Sequence, residues 1–173
     1  MKQNSIRNIV NLALLVALAL AVSVVEMMIP LPVPIPGAKL GLSNIIILVT
    51  IYFYDFKSSL TVSVLKSFLL VLITGSVMSF FYSLLGAILS TISMYFSLRY
   101  SKDFLSLIGI SEIGAFFHNL GQIIVAMIFM NNVKMIYYFP ALVLIGVFTG
   151  FFVGLSSNYI IVHLKKLNFR IAK

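Results

Sequence analysis

Apolar runs long enough to cross a lipid bilayer follow one another almost without pause. The first, Ile9 to Met28, holds a single ionisable side chain, Glu26, and has the length of about 20 residues that a spanning helix needs. Further runs predict spans over roughly 9–28, 40–54, 58–73, 77–100, 111–130 and 135–163. A chain that is 61% hydrophobic and only 9% charged cannot be a soluble globular domain. The expected fold is therefore an all-α integral membrane protein, a six-helix transmembrane bundle forming a single membrane domain over 1–173. Cysteine is absent, which excludes disulfides, thiolate catalysis and cysteine metal sites.

Twelve basic residues against four acidic ones could suggest nucleic acid, but their distribution gives a better account. With a cytoplasmic N-terminus, the cytoplasmic side holds Lys2, Arg7, Lys57, Arg99, Lys102, Lys165, Lys166, Arg170 and Lys173, and the other side only Lys39 and Lys134. This asymmetry follows the positive-inside rule and predicts both termini in the cytoplasm. The first run resembles a signal peptide, with Lys2 and Arg7 ahead of it, but its length and the spans that follow predict an uncleaved helix. Residues 104–110 are too few to span and are expected to lie at the membrane interface.

Polar groups concentrate in a few places. Between Glu26 and Asn44 the sequence reads EMMIPLPVPIPGAKLGLSN, and prolines at 30, 32, 34 and 36 prevent a helix from running through it. An extended cap is expected, with Lys39 and Asn44 returning to the membrane edge. Lys66 lies near the middle of the third run, where a charge costs about 2.5–3.5 kcal/mol and demands a partner or a water-filled cavity. In the fifth run, GAFFHNLGQ puts His118 and Gln122 on one face with Asn119 beside them. Glu26, Lys39, Asn44, Lys66, His118, Asn119 and Gln122 are the candidate substrate-binding residues. No catalytic residue, cofactor or metal site is expected, because the two histidines are far apart and lack carboxylates at ligand spacing. Ser79, Ser83, Gly86, Ser90, Ser93 and Ser97 predict a packing seam on the fourth run. Ala13, Ala17 and Ala21 form a flat stripe on the first, suited to close helix approach either within the bundle or by a partner.

The run from Glu26 through PLPVPIPGAKLGLSN, Gly75, FYSLLGAILSTISM at 81–94 and GAFFHNLGQ at 114–122 resembles the bacterial family named heptaprenyl diphosphate synthase component I, also called Gx transporters. At position 66 the resemblance implies Arg where this chain has Lys. Six spans and the alanine stripe are also similar to the substrate-binding S components of energy-coupling factor (ECF) importers. That likeness implies docking of Ala13, Ala17 and Ala21 on a transmembrane subunit, with separate subunits hydrolysing ATP, in the bacterial cytoplasmic membrane. Two functions follow. The first is capture of a vitamin-like or isoprenoid and quinone-related precursor by a binding subunit that is not itself an enzyme. The alternative is a membrane component of a polyprenyl diphosphate synthase. Prenyl transfer calls for paired aspartate-rich motifs, and Asp55 and Asp103 stand isolated, so the importer subunit is the first expectation.

Overall fold

The computed structural model describes residues 2–29, 38–101 and 104–167, with side chains from Ile6 onward. The four prolines and Gly37, Lys102 and Asp103, and the tail with Arg170 and Lys173 lie outside the described residues, so the proline-rich cap does too. The helices are α1 (Lys2–Glu26), α2 (Asn44–Phe53), α3 (Phe56–Thr74), α4 (Val77–Tyr100), α5 (Leu107–Phe129) and α6 (Phe139–Lys166), with a 3-10 segment over Val133–Tyr138. No strand occurs among the described residues.

Local chemistry sets the boundaries. Asp55, Ser76 and Ser106 cap α3, α4 and α5 by accepting the backbone N–H of Ser58, Ser79 and Gly109, each satisfying one of the donors that a helix start leaves open. Gly75 ends α3 in the left-handed conformation at φ 65°, open to glycine at no steric cost. The Ser106 cap also corrects the expected interfacial segment at 104–110, because α5 already begins at Leu107.

Among the described residues five helices are long and apolar enough to cross a membrane, which makes this a multi-pass membrane protein by length and composition. α2 is not one of them. Its 10 residues cover about 15 Å at 1.5 Å per residue, half the hydrocarbon core. Yet α2 is the hub of the bundle. The long helices pack in the order α1–α3–α4–α5–α6, and α2 touches all five. Seven of its residues are buried, among them Ile47 and Leu48 at 0% exposure. α1, by contrast, turns only Val16, Ala19, Ser23 and Glu26 fully inward among its described side chains.

Small residues set the crossings. A Cβ on Gly121 would meet the Gly86 Cα at 2.8 Å, so α4 and α5 approach backbone to backbone. On α6, Gly146, Gly150 and Gly154 face Asn119, Glu112 and Ser111 of α5. The expected seam on α4 holds at Ser79, Ser83, Gly86 and Ser90, all buried. Ser93 and Ser97 are only half-buried, because a 3.6-residue period carries the inward face round to Thr91 and Met94. Ser67 and Ser83 (2.9 Å) and Ser63 and Thr91 (2.6 Å) join α3 to α4.

One end of the bundle is basic. The Lys165 Nζ lies 4.6 Å from the Tyr52 ring centroid, Arg7 and Asn11 lie beside the Tyr54 hydroxyl, and Phe56 meets Tyr95 on the last turns of α4 at 5.0 Å. These contacts bring the start of α1, the α2–α3 turn, the Arg99 end of α4 and the end of α6 to one level. Lys134, beyond α5, belongs to the opposite end.

Candidate functional site

The hub's N-terminus starts inside the protein. Residues 38–43 enter it as non-helical backbone, which at membrane depth is tolerated only when protein supplies the hydrogen bonds. Gly41 stands at φ 83°, and the turn aims consecutive backbone N–H groups to one side, the arrangement that makes an anion-binding nest. Into this turn reaches the Glu26 carboxylate from the end of α1. It accepts from Gly41 N–H at 2.5 Å and Leu42 N–H at 3.1 Å, with Ser43 N–H also beside it. A carboxylate at a helix N-terminus is favoured by the helix dipole.

Two lysines flank that carboxylate. Lys66, 1% exposed, cannot snorkel to water. Its Nζ donates to Ser43 Oγ at 2.5 Å, and both Glu26 and Lys39 are near enough to act on it electrostatically. Ser43 makes no side-chain cap bond to α2, its backbone standing in the helical region at φ −61° and ψ −15° and not in the extended one that a cap takes. Lys39 is 6% exposed, and its Nζ has no hydrogen-bond partner among the described residues. The core of the site thus holds two ammonium groups and one carboxylate around three N–H donors.

His118 completes the inner wall between two glycines. A Cβ on Gly41 would meet its Cδ2 at 3.0 Å, and one on Gly86 its Cε1 at 2.8 Å. Both ring nitrogens are buried without a partner among the described residues, as is Asn44 Oδ1. A cluster of unsatisfied buried polar atoms costs free energy unless a ligand or water completes it.

The remaining candidates brace the site. Gln122 accepts from Lys39 N–H at 2.5 Å and donates to Lys39 C=O at 2.8 Å, gripping both backbone groups of one residue of the entering segment as a neighbouring strand would. Its amide also donates to Asn119 Oδ1 at 3.2 Å, and Asn119 Nδ2 donates to Leu142 C=O of α6 at 2.7 Å. Glu26, Lys39, Asn44, Lys66 and His118 therefore converge on the turn at 41–43, Gln122 secures its flank, and Asn119 ties that flank to α6. Ala13, Ala17 and Ala21 are all exposed on the outer side of α1, so they do not serve packing inside the bundle.

Sequence reasoning missed two features. Ser43 sits in the run already singled out, but only the fold aims its hydroxyl at Lys66. Glu112 was overlooked altogether, although a carboxylate inside an apolar run is itself a signal. It lines a cavity of about 330 Å³ on the outside of the bundle, with Phe116, Phe117, Val143 and Gly146. Among the described residues no three His, Asp or Glu side chains come together.

Comparison with known proteins adds one match. The heptaprenyl diphosphate synthase component I family model matches residues 15–160. No curated protein and no solved structure matches the chain. The match corrects the expectation that the chain is no enzyme, since the family is named as a component of heptaprenyl diphosphate synthase, an enzyme complex. Isolated aspartates argue only about this chain's own side chains, whereas the name describes an assembly.

Proposed function

We propose, from the premise that this chain belongs to the heptaprenyl diphosphate synthase component I family, that it is the membrane component of such a synthase and holds the anionic head of an isoprenoid diphosphate at the start of α2. One observation carries this reading: Lys66 and Lys39 are buried against a single carboxylate around an N–H nest, leaving a desolvated site with an excess of positive charge. Buried charge of that kind needs an anion. A synthase component of this type implies a second component as partner and a small-molecule substrate.

The basic end of the bundle is the cytoplasmic one in this reading. α2 with its non-helical entry over 38–43 makes the sixth crossing, so both termini are cytoplasmic and residues 1–173 form one membrane domain. Thiol labelling of Ser5→Cys and Lys134→Cys from opposite sides of a vesicle tests this, and labelling of both from the same side would sink it.

The binding test uses purified protein in detergent and a prenyl diphosphate followed by calorimetry. A charge-assisted hydrogen bond is worth about 1.5–3 kcal/mol, so Lys66→Met should weaken binding roughly ten- to a hundredfold. Unchanged affinity would remove Lys66 from the site.

A second reading, the substrate-binding subunit of an ECF-type importer in the bacterial cytoplasmic membrane, is supported by the outward alanine stripe, a surface on which another helix can lie closely. Co-expression decides between them. Ala17→Leu should abolish co-purification with an energy-coupling module if that module docks there, while a stable complex with a synthase partner alone would favour the first reading.

A further inference from the structure

Glu26 is placed against the preference of its own helix. It closes the C-terminal end of α1, where the partial charge is negative and a carboxylate is disfavoured. It is held there by the turn that leads into α2, through the Gly41 and Leu42 N–H groups, with two lysines acting on it from the sides. These donors are the ones an incoming oxyanion would use. Lys39 Nζ, nine-tenths buried and without a hydrogen-bond partner among the described residues, feels Glu26 as its nearby opposite charge. It therefore marks a place for a second acceptor that Glu26 does not fill.

We infer that Glu26 is a built-in surrogate anion: a phosphate or diphosphate group displaces its carboxylate from the Gly41–Leu42 N–H nest and so releases the end of α1 from α2. This rests on the proposed reading of the site as an anion site and adds how its occupancy is reported. Electrostatics give the direction. One carboxylate leaves the two lysines with an excess of one positive charge, whereas a dianionic phosphate group balances both. Opposite charge is worth most where water is excluded. The consequence falls on α1, the helix with the least inward surface. Its outer face carries Ala13, Ala17 and Ala21, so displacing Glu26 would shift the helix that any partner on that face would touch. A ligand can bias two states only through contacts that differ between them, and the nest, bonded to Glu26 in one state and to phosphate in the other, supplies that difference.

The probe is inorganic diphosphate, titrated at constant ionic strength into the purified full chain. Glu26→Gln keeps the shape and one acceptor but removes the competing charge, and should bind diphosphate at least tenfold more tightly than the unsubstituted chain. Equal or weaker binding by Glu26→Gln, with diphosphate binding weakened tenfold or more in Lys66→Met, would overturn the displacement and leave the anion site standing. Absence of diphosphate binding in both proteins would overturn the displacement and the anion site together. A second measurement keeps Glu26 in place and does not depend on the variant folding. The chain has no cysteine, so spin labels at Met28→Cys and Val77→Cys, both exposed positions, report the end of α1 against α4. Saturating diphosphate should shift their distance distribution, and an unchanged distribution under confirmed binding would refute the release of α1.

Discussion

α1 and α2 are joined in sequence and opposite in design. α1 is long and apolar, and most of it faces outward, so its Ile9, Leu14 and Leu18 are exposed to what would be lipid. α2 is too short to cross, touches every long helix and begins on polar, irregular backbone. The difference follows from who supplies hydrogen bonds. A helix against lipid must satisfy its own backbone along its whole length, which α1 does with 25 residues. A helix surrounded by protein can start in mid-bundle, because Glu26 and Gln122 take up the groups that its entry leaves open. Polar function collects at the short helix for the same reason.

That contrast can be broken by attacking the groups that let α2 start inside. The largest effect is expected from Glu26→Leu, which strands the nest and leaves Lys66 and Lys39 without their carboxylate. Breaking a buried charge arrangement in this way costs about 3–5 kcal/mol, so the melting temperature in detergent should collapse, and a small change would show that Glu26 does not hold the hub. Gly41→Ala comes next. It puts a side chain at φ 83° with its Cβ 3.0 Å from the His118 ring, and strain of this kind costs of order 1–3 kcal/mol; the same melt, with His118→Ala as a second substitution, should recover the contact part and not the backbone part.

Gln122→Leu should cost about 1–3 kcal/mol by orphaning the buried peptide groups of Lys39. Faster amide exchange over 38–43 than over α5 is the expected signature, and uniform exchange would argue against a local brace. The smallest effect belongs to the rim. Ala17→Leu lies on an exposed face of α1, so its stability should stay within about 0.5 kcal/mol of the parent. A large loss there would show that α1 packs more deeply than its exposure indicates.

Several parts of this molecule are local in origin and therefore legible in the chain. Asp55, Ser76 and Ser106 announce helix starts, and Gly75 announces a stop, because each acts on backbone groups within a few residues of itself. The family resemblance, carried by the motifs at 26–44 and 114–122, was also legible, and the family match covers both. Less accessible was the division of labour among the polar residues. His118, Asn119 and Gln122 look alike as a cluster, yet His118 faces the nest while Asn119 binds α6, since consecutive residues of a helix point about 100° apart and meet different neighbours. Isolated aspartates at 55 and 103 do not decide the question of enzyme membership, because the absence of a motif in one chain says little about a multi-component enzyme.

The sequence by itself determined that this is a helical membrane protein with basic ends and a few costly polar groups, because hydropathy and charge act through the bilayer whatever the helices touch. Only the tertiary structure decided that the shortest helix is the hub, that Ala13, Ala17 and Ala21 face outward, and that Glu26 sits in the nest at Gly41 and Leu42. Those outcomes depend on which faces meet across the bundle. The Gly86–Gly121 crossing and the grip of Gln122 on Lys39 fix them through contacts between residues distant in the chain, whose pairing no local pattern specifies.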